Sequence, residues 1–564
     1  MNTMMGVAWV RCLAVGLSVA TAACGSTKRN QGEGPLPEAT GGAAADPQPA
    51  AGAPPVIDDP GYLPLHQLTN EEYDNTVADL LGTTVLPDGP RRDHGGEFRN
   101  DSSMLARIDG AQAEFYLGAA DELVTEVFAT PALKRRVLVC EAPAAGDAAC
   151  ARTIFEAFGR RAWRRPLEAA ELDELVGRYQ SALSELEKDH EGAVAFVLRI
   201  MLTSIKFTYL VELDPDLQLA ASEGRDLDGY ELAARLSYAL WGTAPDEQLS
   251  TLAESGDLVE TEALLGEAAR LLDDPRSEFF VRSYLTRYLR VDAERLQSLN
   301  FDASLFPQWS PELAQAMTQE SFAFLARFVG GGHRWSELLT GPLAGGAPGL
   351  EAIYAHDPPG IRVGFLSLPA FLAAMSPPSR VSAVNRGTLV VKNLFCEPLV
   401  PPANVDILLP PADPVPSNPR EQLLQHSSSE ACASCHEWID PIGLALENFD
   451  ALGRYRSEWP GGDPIDPSGV FVAGGEDIPK PAPRYPFANA QELMPLLAAD
   501  ARLARCVSRK LLGYVTRRSP RSVDEVFAER LGDEWAAGEL RVLLERLLES
   551  DVFRRRKLPL EQLP

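Results

Sequence analysis

The sequence has little positive charge for its length. It carries 52 lysines and arginines against 80 acidic residues among 564, which gives a formal net charge of −28. Because nucleic-acid binding requires a cationic surface, this balance counts against a nucleic-acid partner. It also counts against electrostatic docking on anionic lipid. We therefore expect that neither polymer phosphates nor lipid headgroups are recognised through charge.

Long apolar runs and familiar catalytic signatures are also lacking. Beyond residue 24, no apolar stretch reaches the ~18 residues that a membrane-spanning helix needs. No G-x-S-x-G, H-E-x-x-H or P-loop motif occurs, which counts against the hydrolases that use them. Acid pairs such as Asp440 with Glu447 would suit glycoside hydrolysis, but carboxylates are too common in this chain to specify it.

The first 23 residues have the features of a bacterial export signal. Arg11 supplies the positive charge, and a short apolar segment follows over residues 12–20. Small residues directly precede Cys24, as in a lipobox. We predict a lipoprotein signal over residues 1–23 and an acyl anchor on Cys24 that holds the protein to a membrane. The alternative is an ordinary signal peptide with an incidental cysteine.

The predicted location is the outer membrane or the periplasm-facing cell envelope. Gly25 follows the lipobox cysteine, where enterobacterial lipoproteins retained at the inner membrane carry aspartate. Residues 24–60 are rich in glycine, alanine, proline and polar residues. Such a segment buries too little apolar surface to offset the entropy of ordering, so we predict a disordered tether.

The remaining chain predicts a mainly α, multi-domain helical assembly. Helix caps and apolar positions at helical spacing predominate, and the only β structure expected is a small hairpin near 463–478. Proline-rich residues 398–419 predict an extended connector. The closing segment predicts two helices, over about 491–516 and 523–553. Five helical modules are predicted, over residues 61–130, 140–213, 225–350, 358–460 and 488–558.

Individual helix ends can be located from local patterns. Thr69 and Glu72 have the spacing of a capping box, and Gly82 is expected to end the same helix. Asp228 or Gly229 is expected to begin another helix. The basic run over residues 160–166 is expected to be a solvated helix end, where cations interact favourably with the helix dipole.

Cysteine usage fits an oxidising compartment. Of eight cysteines, one lies in the signal segment, one is the predicted lipidation site and two share a motif, which leaves four. Because exported thiols tend to pair, the simplest scheme joins Cys140 to Cys150 and Cys396 to Cys506. Connectivity does not follow from sequence alone, so other pairings stay open.

The strongest chemical motif is Cys432-Ala433-Ser434-Cys435-His436, the C-x-x-C-H signature of c-type haem attachment. On a helical turn, residues i and i+3 project to one side, so both sulfurs can reach the vinyl groups of one porphyrin. His436 then lies under the iron as its proximal ligand. We predict one haem c, and with it an electron carrier or a haem subunit of an oxidoreductase with an unidentified redox partner.

Other interpretations of the motif stay open. Cys432 and Cys435 could form a plain disulfide, in which case the protein is a non-redox binding or scaffold lipoprotein. They could be half of a zinc site, although no second ligand pair is evident. A thioredoxin-like motif is the third alternative, although no βαβ pattern surrounds it.

The distal side of the predicted haem has several candidate ligands. His426 lies ten residues before His436, Met494 lies downstream, and Met375 is a further candidate. Histidine would keep the reduction potential lower than methionine. An open or water-ligated site is the remaining alternative.

The segment after the motif has its own pattern. Its apolar side chains are candidates to line a porphyrin: Ile442, Leu446 and Phe449. Its carboxylates are expected to cap helices and pair with arginines rather than bind a hard cation. The carboxylates are Asp440, Glu447 and Asp450, and the arginines are Arg454 and Arg456.

Several longer motifs resemble an uncharacterised family of exported planctomycete and myxobacterial proteins built from five consecutive domains of unknown function. The residues that carry this resemblance span nearly all of the mature chain: 65–82, 161–166, 231–246, 386–387, 401–402, 432–456, 506–514 and 517–518. The resemblance implies a haem-attachment segment in the fourth domain and implies no particular reaction. Unlike the planctomycete pattern, this chain has no separate N-terminal cytochrome domain, so a single haem is expected.

Overall fold

A computed structural model describes residues 60, 65–89, 97–101, 108–212, 214, 224–343, 346–399, 419–427, 430–459, 461–474 and 481–557. All of these residues belong to one compact unit. The predicted signal, Cys24 and most of the tether and of the proline-rich connector lie outside the described residues. Among the described helices, none combines the length and apolar character needed to cross a bilayer.

The first part of the described chain forms seven helices and two short strands. The strands β1 and β2 pair antiparallel, with His66 opposite Leu210. The bounds are β1 His66–Gln67, α1 Asn70–Leu81, α2 Gly110–Ala129, α3 Pro131–Val137, α4 Ala148–Ala162, α5 Ala169–Ser184, α6 His190–Thr203, α7 Ile205–Thr208 and β2 Tyr209–Leu210.

The middle of the chain is helical as well. Two helices continue into π-helical turns, over Val281–Thr286 and Val390–Leu394. The bounds are β3 Arg225–Asp226, α8 Gly229–Leu240, α9 Glu247–Ser255, α10 Thr261–Asp273, α11 Glu278–Phe280, α12 Ala293–Ser298, α13 Pro311–Gly330, α14 Glu337–Thr340, α15 Glu351–Tyr354, α16 Pro369–Ala374 and α17 Ala383–Leu389.

The last part of the described chain contains the C-x-x-C-H motif and the C-terminal helices. The motif lies on α19. The bounds are α18 Pro419–His426, α19 Glu430–Leu444, β4 Gly469–Val472, β5 Arg484–Phe487, α20 Ala490–Ala498, α21 Ala501–Thr516, α22 Ser522–Trp535, α23 Leu540–Glu549, α24 Asp551–Arg554 and β6 Arg555–Arg556. The prediction of a mainly α protein with little β structure is therefore confirmed.

These elements enclose two hydrophobic cores. The smaller core is built almost entirely from residues 68–207, where α2 packs on α6 and α4 packs on α5. The larger core draws on residues 227–553. The ends of that stretch meet, because β3 pairs with β6 and Arg235 donates a hydrogen bond to the carbonyl oxygen of Phe553 at 2.5 Å.

Local helix signals were predicted correctly. Thr69 and Glu72 form the reciprocal capping box at the start of α1, and Gly82 ends α1 in a left-handed conformation with a φ of 74°. Asp228 caps α8 through a second capping box with Glu231. Each of these interactions joins residues within about one turn of helix, so the local sequence suffices to specify it.

Predictions that depended on distant residues held only in part. The predicted small hairpin is present, but its second strand lies further along the chain: residues 469–472 pair with 484–487, because Phe471 and Phe487 are both buried in the larger core. The closing segment forms several shorter helices instead of two. It is interrupted at Asp500, whose side chain caps α21, and at Ala536 and Ala537, which adopt positive φ.

The basic run is a solvated helix end only in part: Arg161 is exposed in the last turn of α4, whereas Arg164 is not. Arg164 is buried and donates hydrogen bonds to the carbonyl oxygens of Lys206, Phe207 and Tyr209. Arg161 donates to carbonyl oxygens at the end of α1 rather than of its own helix. The expected dipole interaction therefore exists, but it joins two helices that are distant in sequence.

Candidate functional site

The helix α19 presents the two motif cysteines one turn apart. Both thiols are half-buried and unbridged. The other four described cysteines form the two predicted disulfides, Cys140–Cys150 and Cys396–Cys506. Among the described cysteines, the structure therefore distinguishes one unbridged pair from two structural disulfides.

The motif histidine is oriented by a carboxylate. The Nδ1 atom of His436 lies 2.8 Å from Oδ1 of Asp440, one turn further along α19. Their side chains are only 13% and 11% exposed. Since an ionised carboxylate can only accept, the tautomer of His436 that makes this hydrogen bond carries its proton on Nδ1.

Two glycines fix α19 against α17. A Cβ atom on Gly443 would lie 1.9 Å from the carbonyl oxygen of Ala383, and one on Gly387 would lie 2.0 Å from that of Ile439. Real Cβ atoms do not approach oxygen so closely, so any larger residue forces the two helices apart. The backbones of α17 and α19 are therefore in direct contact, and the motif is held on a rigid support.

A buried arginine secures the chain that follows α19. The guanidinium of Arg386 is fully buried and donates to the carbonyl oxygens of Leu446, Phe449 and Asp450 at 2.7–3.0 Å. Burial lowers the pKa of Arg386 to about 10. Three carbonyl acceptors and the nearby Glu447 offset much of the cost of burying this charge.

The carboxylates after the motif have different roles. Glu447 accepts a hydrogen bond from Arg456 at 3.0 Å, and burial raises its pKa. Asp450 pairs with Arg454 at 2.6 Å and accepts backbone N–H groups. The expected capping and ion-pair roles therefore hold for these two residues, whereas Asp440 accepts a hydrogen bond from His436. Within the described residues, no group of three or more histidine, cysteine or acidic side chains forms a cation site.

The predicted porphyrin-lining residues belong to the larger core. Ile442, Leu446 and Phe449 are at most 1% exposed. Met494, on α20, is fully buried in the same core, and Met375 is 5% exposed. The side chain of His426 lies outside the described residues, although its backbone ends α18.

A large cleft opens beside α19. It has a volume of about 1220 Å³, and Trp438 lines it together with the Cys396–Cys506 disulfide. Cys432, Cys435 and His436 are not among its lining residues. Its basic side chains are largely neutralised by acids, as in the pairs Lys510–Glu97 and Arg502–Glu397. The cleft is therefore a mixed-charge surface rather than an anion site.

Five family models match the chain in succession, and each is described as a protein of unknown function. They are DUF1587 over residues 66–129, DUF1595 over 150–212, DUF1592 over 227–355, DUF1588, with the short name PSCyt3, over 362–459, and DUF1585 over 485–553. The chain belongs to this five-domain family. No curated protein and no solved structure matches it.

In this five-domain protein, the PSCyt3 segment contains the C-x-x-C-H motif together with the arginine, the two glycines and the aspartate described above. Arg386, Gly387 and Gly443 lie within residues 362–459, as do His436 and Asp440. The contact between α17 and α19 and the pair His436–Asp440 are therefore parts of one domain, whereas Met494 and the core beneath α19 involve neighbouring segments.

Other family segments meet at a buried polar junction between the two cores. Tyr238 of the third domain contacts Thr76 of the first and Arg164 of the second, each at 2.8 Å. Glu72 of the first domain pairs with Arg517 beyond the α21 helix of the fifth at 3.3 Å. These residues lie within or beside the motifs that carry the family resemblance, and here they join domains rather than perform chemistry.

Sequence reasoning missed two contributors to the site. The role of Asp440 could have been predicted from the sequence, because a histidine and a carboxylate four residues apart on a helix lie on the same face. The role of Arg386 could not have been predicted from the sequence, because its three hydrogen-bond acceptors lie 60 to 64 residues away in the chain.

Proposed function

We propose that Cys432, Cys435 and His436 bind a single haem c. The observation that carries this proposal is the pair of unbridged thiols one helical turn apart, followed by a histidine whose Nδ1 is held by Asp440. The donor set fits the group, since two thiols provide thioether links and histidine is an axial ligand of haem iron. The short name PSCyt3 also points to a cytochrome-like segment.

The proposed role is that of an electron carrier or of the haem subunit of an oxidoreductase. When bound, a haem supplies one-electron transfer. The chain itself contributes a rigid site: Gly387 and Gly443 fix α19, and Asp440 fixes the imidazole. A site whose ligands do not move keeps the reorganisation small when the charge changes.

The proposed location is the cell envelope. The lipobox-like sequence before Cys24 supports a lipid anchor, and two disulfides suit an oxidising compartment. We further propose an unidentified redox partner in the same compartment. Of the candidate distal ligands, Met494 is fully buried in the larger core, which favours His426 or an exchangeable ligand.

Mass and haem staining test the proposal directly. The protein is produced in a host with cytochrome c maturation and compared with the Cys432→Ala/Cys435→Ala variant. We expect the wild type to keep one haem through denaturing electrophoresis and the variant to lose it. The matched control, Cys140→Ser/Cys150→Ser, removes a distant cysteine pair and is expected to keep the haem.

A wild-type mass equal to that of the polypeptide plus acyl chains would contradict haem attachment. Absorbance in the Soret region gives the same answer by an independent route. A colourless, folded protein would leave the alternative in which the chain is a scaffold lipoprotein and the Cys432–Cys435 pair is structural.

A further inference from the structure

The carboxylate of Asp440 occupies a position that an ordinary helix cap or surface ion pair does not explain. It accepts a hydrogen bond from Nδ1 of His436, and the two side chains are only 11% and 13% exposed. A hydrogen bond to a charged acceptor is about twice as strong as one between neutral groups, and a low local dielectric strengthens it further.

A second acid on the same helix provides a contrast. Glu437 is adjacent to His436 in sequence, but its side chain is 43% exposed and pairs with Arg484, which is 56% exposed. Solvent and the paired arginine screen its charge. The two carboxylates therefore have the same formal charge but differ in burial and in contact with the imidazole.

We propose that Asp440 is a positioning residue that sets the reduction potential of the haem held by His436. This inference rests on the proposed function. Because the carboxylate accepts a hydrogen bond from Nδ1–H, it makes the imidazole a stronger electron donor through Nε2. Stronger donation stabilises the oxidised iron relative to the reduced iron, so the potential is lower than it would be with a neutral acceptor.

Spectroelectrochemical titration of the haem-loaded protein tests this inference. In Asp440→Asn, which keeps the shape but removes the charge, we expect the ratio of reduced to oxidised protein at a fixed ambient potential to rise at least tenfold. For a one-electron couple, that corresponds to an upward shift of about 59 mV. Glu437→Gln is the matched control, and we expect its ratio to change by less than about twofold, because solvent screens the lost charge.

Two further variants keep the inference falsifiable. Asp440→Glu retains a carboxylate and is expected to return the potential toward the wild-type value, whereas Asp440→Ala is expected to shift it in the same direction as Asp440→Asn. Equal shifts in Asp440→Asn and Glu437→Gln, or an unchanged potential in haem-loaded Asp440→Asn and Asp440→Ala, would overturn the role of Asp440. Absence of haem from the wild type would instead overturn the proposed function.

Discussion

The two cores of this protein are assembled in different ways. The smaller core is built almost entirely from one continuous stretch, residues 68–207, and its disulfide joins cysteines ten residues apart. The larger core combines three domains across residues 227–553, and its disulfide joins cysteines 110 residues apart. The C-x-x-C-H helix is supported by the core with the longer-range contacts.

The candidate site is supported by the core that depends on contacts between distant parts of the chain. Strand β3, directly before the third domain, pairs with the last described strand, β6, and the fourth domain contributes side chains to the same core. A change far along the chain can therefore loosen the support of α19, whereas the smaller core depends mainly on its own sequence. Three perturbations test this contrast, in order of decreasing expected effect.

Removal of each disulfide should have the largest and most unequal effects. A cross-link lowers the entropy of the unfolded chain more when it closes a longer loop. We expect Cys396→Ser/Cys506→Ser to lower the free energy of unfolding by about 5 kcal/mol and Cys140→Ser/Cys150→Ser by about 3 kcal/mol, on the basis of loop length. Guanidinium unfolding measures both, and equal losses would contradict the contrast between the cores.

A methyl group added at the contact between α17 and α19 should have the second largest effect on the free energy of unfolding. In Gly443→Ala the new Cβ meets the carbonyl oxygen of Ala383, so the helices must separate and we expect a loss of about 3 kcal/mol. Gly118→Ala is the control, because that glycine lies on α2 of the smaller core with open space around it. There we expect a gain of up to about 1 kcal/mol from helix propensity. Thermal unfolding followed by circular dichroism separates the two outcomes.

Acid should weaken the junction between the cores. Burial alone would raise the pKa of Glu72, but Arg517, His66 and the Thr69 amide lower it to about 2. A carboxylate with a depressed folded-state pKa stabilises the protein above its unfolded value of 4.5, and this contribution is lost as the pH falls toward 2. We expect the complete loss to be roughly 3 kcal/mol, of which about 2 kcal/mol falls between pH 7 and pH 3.

The measurement is the urea midpoint between pH 7 and pH 3. Glu72→Gln should be less stable at neutral pH and should lose less stability over this range than the wild type. Glu174→Gln, which removes an exposed partner of Arg178 on α5, is the control and should follow the wild-type profile. Parallel profiles for the wild type and Glu72→Gln would show that this pair does not couple the cores.

Much of the local structure was predictable from sequence. The capping box at Thr69 and Glu72, the helix end at Gly82 and the start at Asp228 all use partners within four residues. The two disulfides match the simplest scheme, because only four cysteines remained once the predicted signal, the predicted lipidation site and the motif were set aside. The C-x-x-C-H spacing likewise predicted a helical turn, and α19 contains it.

The partners of buried groups were harder to predict. The buried position of Arg164 depends on carbonyl groups more than 40 residues away, so its sequence neighbours suggested a solvated end. The strand that pairs with β4 was placed too early, since the core position of Phe487 decides the pairing. The role of Arg386 follows only from the contact between α17 and the chain after α19.

The helical character, the positions of many helix ends and the dithiol–histidine motif follow from the sequence alone, whereas the cysteine pairing was only the simplest of several schemes. The tertiary structure alone decided that five domains share two cores, that the motif helix lies against Gly387, and that Arg164 and Arg386 are buried. The reason is the range of the interactions. Helix caps and helical turns are held by hydrogen bonds between residues that are close in the sequence. The burial of a side chain depends instead on which segments, distant in the sequence, pack around it and exclude water.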